Sequence, residues 1–216
     1  MALPTISLLM TLAVATAAAA PAGADRRACV DSRVVGSTIS LTIFEQARLA
    51  PEARKEMMKE AVRLWRAAGV NLVWSDAEHG ETGHLLVVIS ANGLQMPAGE
   101  WRVPIATTLF VAGMPTTLVT VYPFEAERLL SQVRMDDRMI AERPPLLRQR
   151  LLGRVLGRAV AHEVGHYVFR TGAHAQVGLM RANHNINALV SAQADLRIVA
   201  PYPSVCAMIE NYPAER

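Results

Sequence analysis

The chain has 216 residues, 51% of them hydrophobic and 19% charged, and its formal net charge is +3. This length supports one domain with a hydrophobic core and is too short for two domains that would each bury a core of ordinary size. The basic residues are dispersed, and the densest group, "RQRLLGRVLGR", spaces its arginines along one helix face. Composition and charge therefore argue against a nucleic-acid partner.

The first 24 residues have the pattern of a signal peptide. A short apolar run, Ile6–Ala20, is followed by Ala22-Gly23-Ala24, which fits the small-residue cleavage rule. The alternative, a retained membrane anchor, is disfavoured because the apolar run is short for a span. The sequence predicts an exported mature chain that begins at Asp25, is periplasmic or secreted, and has no further membrane contact.

Two cysteines, Cys29 and Cys206, lie near the two ends of the mature chain. In an exported protein such a lone pair is typical of a disulfide that ties the termini together. A second interpretation makes Cys29 an inhibitory thiolate on a metal ion, but Cys206 offers a simpler partner. We therefore expect a Cys29–Cys206 disulfide.

Apolar periodicity predicts strands and helices along the whole mature chain. Five strands are predicted, at residues 37–44, 70–74, 85–90, 105–111 and 116–122. Three helices are predicted between or after these strands. An amphipathic helix begins at Pro51 and is ended by Gly69, and a helix with one polar face covers residues 125–142. A long apolar helix covers residues 146–170 and is ended by Gly172. The tail is expected to contain a helix at 191–199 and a final turn at 207–212.

The order of these elements predicts an α+β fold. A twisted mixed sheet is expected to pack over the long helix. We expect a single domain over residues 25–216, with an upper part at about 37–171. A smaller, irregular or helical lower part, at about 172–216, is expected below a cleft.

The long predicted helix contains the motif "HEVGH". At 100° per residue, His162 and His166 fall on the apolar face that the helix should bury. Buried polar groups without partners cost about 1–3 kcal/mol each, and a divalent cation removes that cost. Two histidines at i and i+4 can chelate one ion, whereas Glu163 is rotated toward a metal-activated water. The alternative is a pair of ordinary core histidines.

A catalytic zinc site needs a third protein ligand and leaves one position to water. Gly172 can adopt the left-handed conformation that ends a helix and reverses the chain. That reversal would return His174 to the metal, so His174 is the predicted third ligand. His184 and Asp195 are the alternatives.

These residues resemble the zincin metallopeptidases, and among them the metzincins, whose signature is H-E-x-x-H-x-x-G-x-x-H followed by a methionine turn. "GLM" resembles that turn, with Met180 at its base, although an ordinary packing methionine is the other interpretation. Phe169 and Gly172 stand where the family has glycine and the third histidine, so the spacing here is the variant HExxHx7H. The resemblance implies a zincin-like α+β fold and one catalytic Zn²⁺.

The predicted function is therefore that of an exported zinc-dependent metalloendopeptidase. Its substrate would be a peptide or protein, hydrolysed by metal-activated water with Glu163 as general base. An extended substrate would pair with an exposed strand edge, in residues 105–111 or 116–122, with Thr117 and Val119 near it. Tyr167, Tyr202 or a histidine could donate to the oxyanion.

Two other functions remain open at this stage. One is a non-catalytic exported module in which zinc is structural and His184 supplies a fourth ligand. The other is hydrolysis of a non-peptide amide at the same site.

Overall fold

The computed structural model describes residues 36–75, 84–93, 104–194 and 196–201. The signal peptide, both cysteines, Asp195, Tyr202 and the predicted turn at 207–212 lie outside these residues. Within the described ranges, none of the helices combines the length and the hydropathy that crossing a membrane requires.

The described chain forms a mixed five-stranded sheet with helices packed against it, which confirms the expected α+β class. Its elements, in chain order, are β1 (Thr38–Glu45), α1 (Pro51–Ala67), β2 (Asn71–Ser75), β3 (His84–Ile89), β4 (Ala106–Val111), β5 (Met114–Val121), α2 (Pro123–Leu130), β6 (Arg134–Met135), β7 (Arg138–Met139), a 3₁₀ turn (Ile140–Glu142), α3 (Pro145–Phe169) and α4 (Ile186–Val190).

The strand order in the sheet is β2-β1-β3-β5-β4. Strands β2, β1, β3 and β5 run parallel to one another. Strand β4 runs antiparallel to β5. Strand β3 illustrates why these residues form a sheet: Leu85, Val87 and Ile89 alternate with less buried residues and are fully buried. All five predicted strands are confirmed, with ends shifted by one or two residues.

Strand β4, and not β5, is the edge of the sheet next to α3. Strand β5 is paired on both sides, with β3 and with β4. Val119 is fully buried there, and Thr117 lies in the same inner strand. The prediction that Thr117 and Val119 form an exposed substrate edge is therefore wrong, because strand order depends on contacts distant in sequence. The other predicted segment, residues 105–111, supplies the edge.

Helices α1 and α3 pack against each other at very short range. A Cβ at Gly157 would lie 2.5 Å from the carbonyl oxygen of Met57, and one at Gly153 would overlap the carbonyl oxygen of Ala53. The two glycines therefore allow the helix backbones to touch. Trp65, fully buried on α1, donates its indole N–H to the carbonyl of Ala161 at 3.0 Å. Helix α3 is thus held in a fixed position under the sheet.

A buried ion pair joins α1, α3 and the C-terminal segment. Arg158 Nε donates to Glu60 Oε1 at 2.7 Å, and both side chains are at least 95% buried. Burial raises the pKa of Glu60, but hydrogen bonds and charges from Arg63 and Arg158 outweigh it and lower the pKa to about 2. Arg158 Nη1 also donates to the carbonyls of residues 188, 189 and 191, at 2.8–3.1 Å.

Two predicted helices are wrong in part. The helix predicted over 125–142 begins at Pro123 and ends at Leu130. The rest of that segment contains the β6–β7 hairpin, in which Asp136 and Asp137 adopt positive φ and form a two-residue turn. The helix predicted over 191–199 is not formed by its described residues. The helical segment is instead α4, whose N-cap Asn185 accepts a hydrogen bond from the amide of Asn187 at 2.9 Å.

Candidate metal centre

Helix α3 presents two imidazoles on one face, as the sequence predicts. His162 and His166 are one turn apart, and their ring centroids are 4.9 Å apart. His166 is buried and His162 is half-buried. The two rings therefore face the same small region below the sheet.

A chain reversal after α3 adds a third imidazole. The reversal occurs at Arg170, which has φ 51° and ψ 41°, and the amide of Thr171 then bonds to the carbonyl of His166. The prediction that Gly172 takes the left-handed conformation is wrong, since its φ is not positive. The predicted consequence is nevertheless present, because the ring of His174 returns to within 5.3 Å of His162, measured between centroids.

These three histidines form a group that can hold a metal ion. One candidate ligand nitrogen from each of His162, His166 and His174 lies within 4.8 Å of the others. His162 Nδ1 and His166 Nδ1 each bond a backbone carbonyl at 2.8 Å, that of Leu179 and that of Thr171. Because a carbonyl only accepts, both Nδ1 atoms carry hydrogen, and the Nε2 lone pairs remain free for a metal.

The protonation states also suit a metal. Burial lowers the pKa of His162 to about 3, although the hydrogen bond to Leu179 opposes it. Burial likewise lowers the pKa of His166 and of His174. All three rings are therefore neutral near pH 7, the form that binds metals. Three neutral imidazoles on converging side chains are a donor set that fits a divalent transition metal.

His184, the alternative ligand, has a different role. Its Nε2 lies 2.8 Å from the carbonyl oxygen of Leu179, which also accepts the Nδ1–H of His162. His184 therefore donates to the same carbonyl that orients His162 and is not one of the three gathered ligands. This carbonyl could not be found from the sequence, since a backbone acceptor leaves no residue pattern.

Glu163 lies in the same cleft as the three histidines and is 8% exposed. Burial raises the pKa of Glu163 to about 7, and interactions with the side chain and the backbone of Thr108 oppose the rise. The Thr108 hydroxyl donates to the main-chain carbonyl of Glu163 at 3.1 Å. Thr108, which the sequence analysis did not single out, thereby joins edge strand β4 to α3.

Met180 packs under the ligand helix. Its side chain is fully buried, and a Cβ at Gly165 would overlap its sulfur, so the two residues are in close contact. The Met180 carbonyl accepts the amide of Ala175 at 2.7 Å. This bond joins the segment around Met180 to the residue that follows His174.

The cleft beside the histidines has a volume of about 660 Å³. Strand β4 forms one wall, and the segment after Leu179 forms another. Apolar side chains line much of it, among them Ile105, Phe110, Leu129 and Leu179. Of the described residues considered as oxyanion donors, Tyr167 does not line the cleft, whereas His184 does.

Comparison of the chain with protein-family models and with curated proteins finds no match.

Proposed function

We propose that the protein is an exported, zinc-dependent metalloendopeptidase of the zincin type. The observation that supports this proposal is the convergence of His162, His166 and His174 beside Glu163 in one cleft. Three histidines with one open position are the ligand set of catalytic zinc, whereas a structural zinc site takes four protein ligands.

The side chains divide the work of peptide hydrolysis among them. The free Nε2 atoms of His162 and His166, together with His174, would hold the ion. A zinc ion held there would supply Lewis acidity toward a water molecule and a substrate carbonyl. Glu163 accepts the proton of the attacking water and then donates it to the leaving amine. Met180 supports the ligand helix from below, as the base of a methionine turn.

Strand β4 is the proposed docking edge for an extended peptide or protein substrate. It is the edge of the sheet, and several of its residues line the cleft. A peptide that adds to a sheet edge gains backbone hydrogen bonds along its length. Because Thr108 ties β4 to Glu163, a substrate bound to this edge would lie against the general base.

The competing function, a structural zinc module, requires a fourth protein ligand. Among the described histidines of the cleft, His184 is the one left for this role, but it is not in the group whose ring nitrogens gather within 4.8 Å of one another. Its position outside that group supports the catalytic proposal over the structural one. Hydrolysis of a non-peptide amide would use the same residues and is separated from peptide hydrolysis by the choice of substrate.

The test uses the mature chain from Asp25, prepared with zinc. Glu163→Gln should retain one zinc per chain and lose hydrolysis of an unfolded protein substrate by at least about 100-fold, since it removes the general base. A chelator should abolish wild-type activity, and added zinc should restore it. Full activity in Glu163→Gln, or a zinc-loaded wild type that cleaves no peptide bond in a diverse library, would refute the proposal.

A further inference from the structure

We infer that Arg181 selects substrates that place a carboxylate next to the scissile bond. This inference rests on the proposed peptidase function and names its substrate class. The carboxylate could belong to an aspartate or glutamate side chain or to the C-terminus of the peptide, and both present the same chemistry to a guanidinium.

The charges that line the cleft are unequally distributed. Among the described lining residues, Glu163 is the single carboxylate, and the proposed chemistry already uses it. The other ionised side chains in the lining are three arginines, Arg128, Arg158 and Arg181. Which of these arginines can bind a substrate anion depends on which of them are already paired.

Two of the three arginines are already paired. Arg158 binds Glu60 and three backbone carbonyls, as described above. Arg128 Nε donates to Glu125 Oε2 at 2.9 Å. Arg181 is exposed, and within the described part of the chain it has no ion-pair partner. It is therefore the arginine that can bind a substrate anion without breaking an existing pair.

Arg181 lies in the same cleft as the candidate metal ligands. Its backbone pairs with Ala175, the residue after the proposed ligand His174, and it directly follows Met180. It lines this cleft together with Glu163. An extended substrate on β4 would cross the cleft, and we expect a side chain next to the scissile bond to face the guanidinium.

The chemistry of the cleft favours a carboxylate over a neutral amide of the same shape. A guanidinium and a carboxylate form two parallel, charge-assisted hydrogen bonds, which a glutamine side chain cannot reproduce. We expect kcat/KM to be about tenfold higher for a Glu peptide than for the matching Gln peptide, because one charge-assisted hydrogen-bonded pair contributes about that factor.

The experiment compares peptides that differ only in charge. One series replaces Gln by Glu at each position flanking the scissile bond, and a second compares a free C-terminus with its amide. Each peptide is tested with the wild type, Arg181→Gln, Arg181→Glu and Arg148→Gln, all loaded with zinc. Arg148→Gln is the matched control, because Arg148 is an exposed arginine of α3 that does not line the cleft.

The expected result is an acid preference of about tenfold in kcat/KM for the wild type and for Arg148→Gln. The preference should vanish in Arg181→Gln and reverse in Arg181→Glu, so that the uncharged peptide of each pair is then cleaved faster. A preference within the Gln/Glu series would identify a side-chain carboxylate as the recognised group. A preference for the free C-terminus over its amide would identify the terminal carboxylate. A wild type without the preference, or a preference that survives in Arg181→Gln, would overturn the inference.

A binding measurement separates this inference from the proposed function. Zinc-loaded Glu163→Gln retains the cleft without the general base, and fluorescence anisotropy gives its Kd for labelled Glu and Gln peptides. Tighter binding of the Glu peptide that is lost in the double variant Glu163→Gln/Arg181→Gln supports the inference, even if the wild type hydrolyses nothing. Equal Kd values for the two peptides would overturn it, even if hydrolysis is observed.

Discussion

Two ion pairs join α1 to α3 with the same geometry and different burial. In each, an arginine Nε of α3 lies 2.7 Å from a glutamate Oε1 of α1. The pair Arg158–Glu60 has side chains 2% and 5% exposed, whereas the pair Arg150–Glu52 has side chains 55% and 25% exposed. They form a matched comparison of a buried and an exposed interaction within one helix pair.

Substitution of Arg158 by methionine keeps the unbranched apolar stem of the side chain and removes its charge and donors. It leaves the buried carboxylate of Glu60 with Arg63 alone and removes the donor from three backbone carbonyls. Removing one member of a buried pair costs about 3–5 kcal/mol, because the remaining charge stays buried. We expect the free energy of unfolding of Arg158→Met to fall by about that amount.

The assay is urea unfolding of the mature protein, followed by tryptophan fluorescence, with Arg150→Met as the control. Trp65 is buried between α1 and α3, so its emission reports on this interface. Arg150→Met should leave the free energy of unfolding unchanged within error, because its pair is solvated. Equal losses in the two variants, or a loss below about 1 kcal/mol in Arg158→Met, would refute the reasoning.

Two further predictions concern Glu60 and His184. The pKa of Glu60 is about 2 in the folded protein and 4.5 ordinarily, so the unfolded state binds more protons between these two pH values. The ionised Glu60 therefore stabilises the folded protein by about 3 kcal/mol. This stabilisation is complete above pH 4.5 and is lost as the pH falls toward about 2. Urea unfolding of the wild type and Glu60→Gln should give free energies that converge over this window, and a constant difference would contradict the assignment. His184→Leu removes a donor from the Leu179 carbonyl and should weaken zinc binding about 10–100-fold in a competition with a chelating dye. His184→Asn keeps a donor and should recover part of the affinity. Equal zinc affinities of the two variants would contradict the proposal that His184 helps to orient His162.

The parts of the structure that follow from local patterns could be predicted from the sequence. The alternation in β3 and the apolar periodicity of α3 reflect burial on one face, which repeats every two or about every four residues. The i, i+4 spacing of His162 and His166 placed both rings on one side of α3 for the same reason. The return of His174 was also predicted, from the chain reversal that a helix end requires.

The parts that depend on distant contacts could not be predicted. Whether β4 or β5 forms the sheet edge depends on which strand β3 recruits, and the sequences of both are apolar and β-branched. The left-handed residue after α3 is Arg170, although glycine is the residue with the stronger preference for that conformation. The signal peptide and the Cys29–Cys206 disulfide stay predictions, and a mass measurement of the non-reduced mature protein checks both.

Arg158 and His162 are four residues apart, about one helical turn, so the residue that anchors the core and the first candidate metal ligand lie on nearly the same side of α3. One residue inserted between them would rotate His162 and His166 by about 100° away from the cleft while leaving the anchor in place. Helix geometry alone therefore sets the spacing between the core anchor and the candidate metal ligands, and a change of length there would separate the two functions of α3.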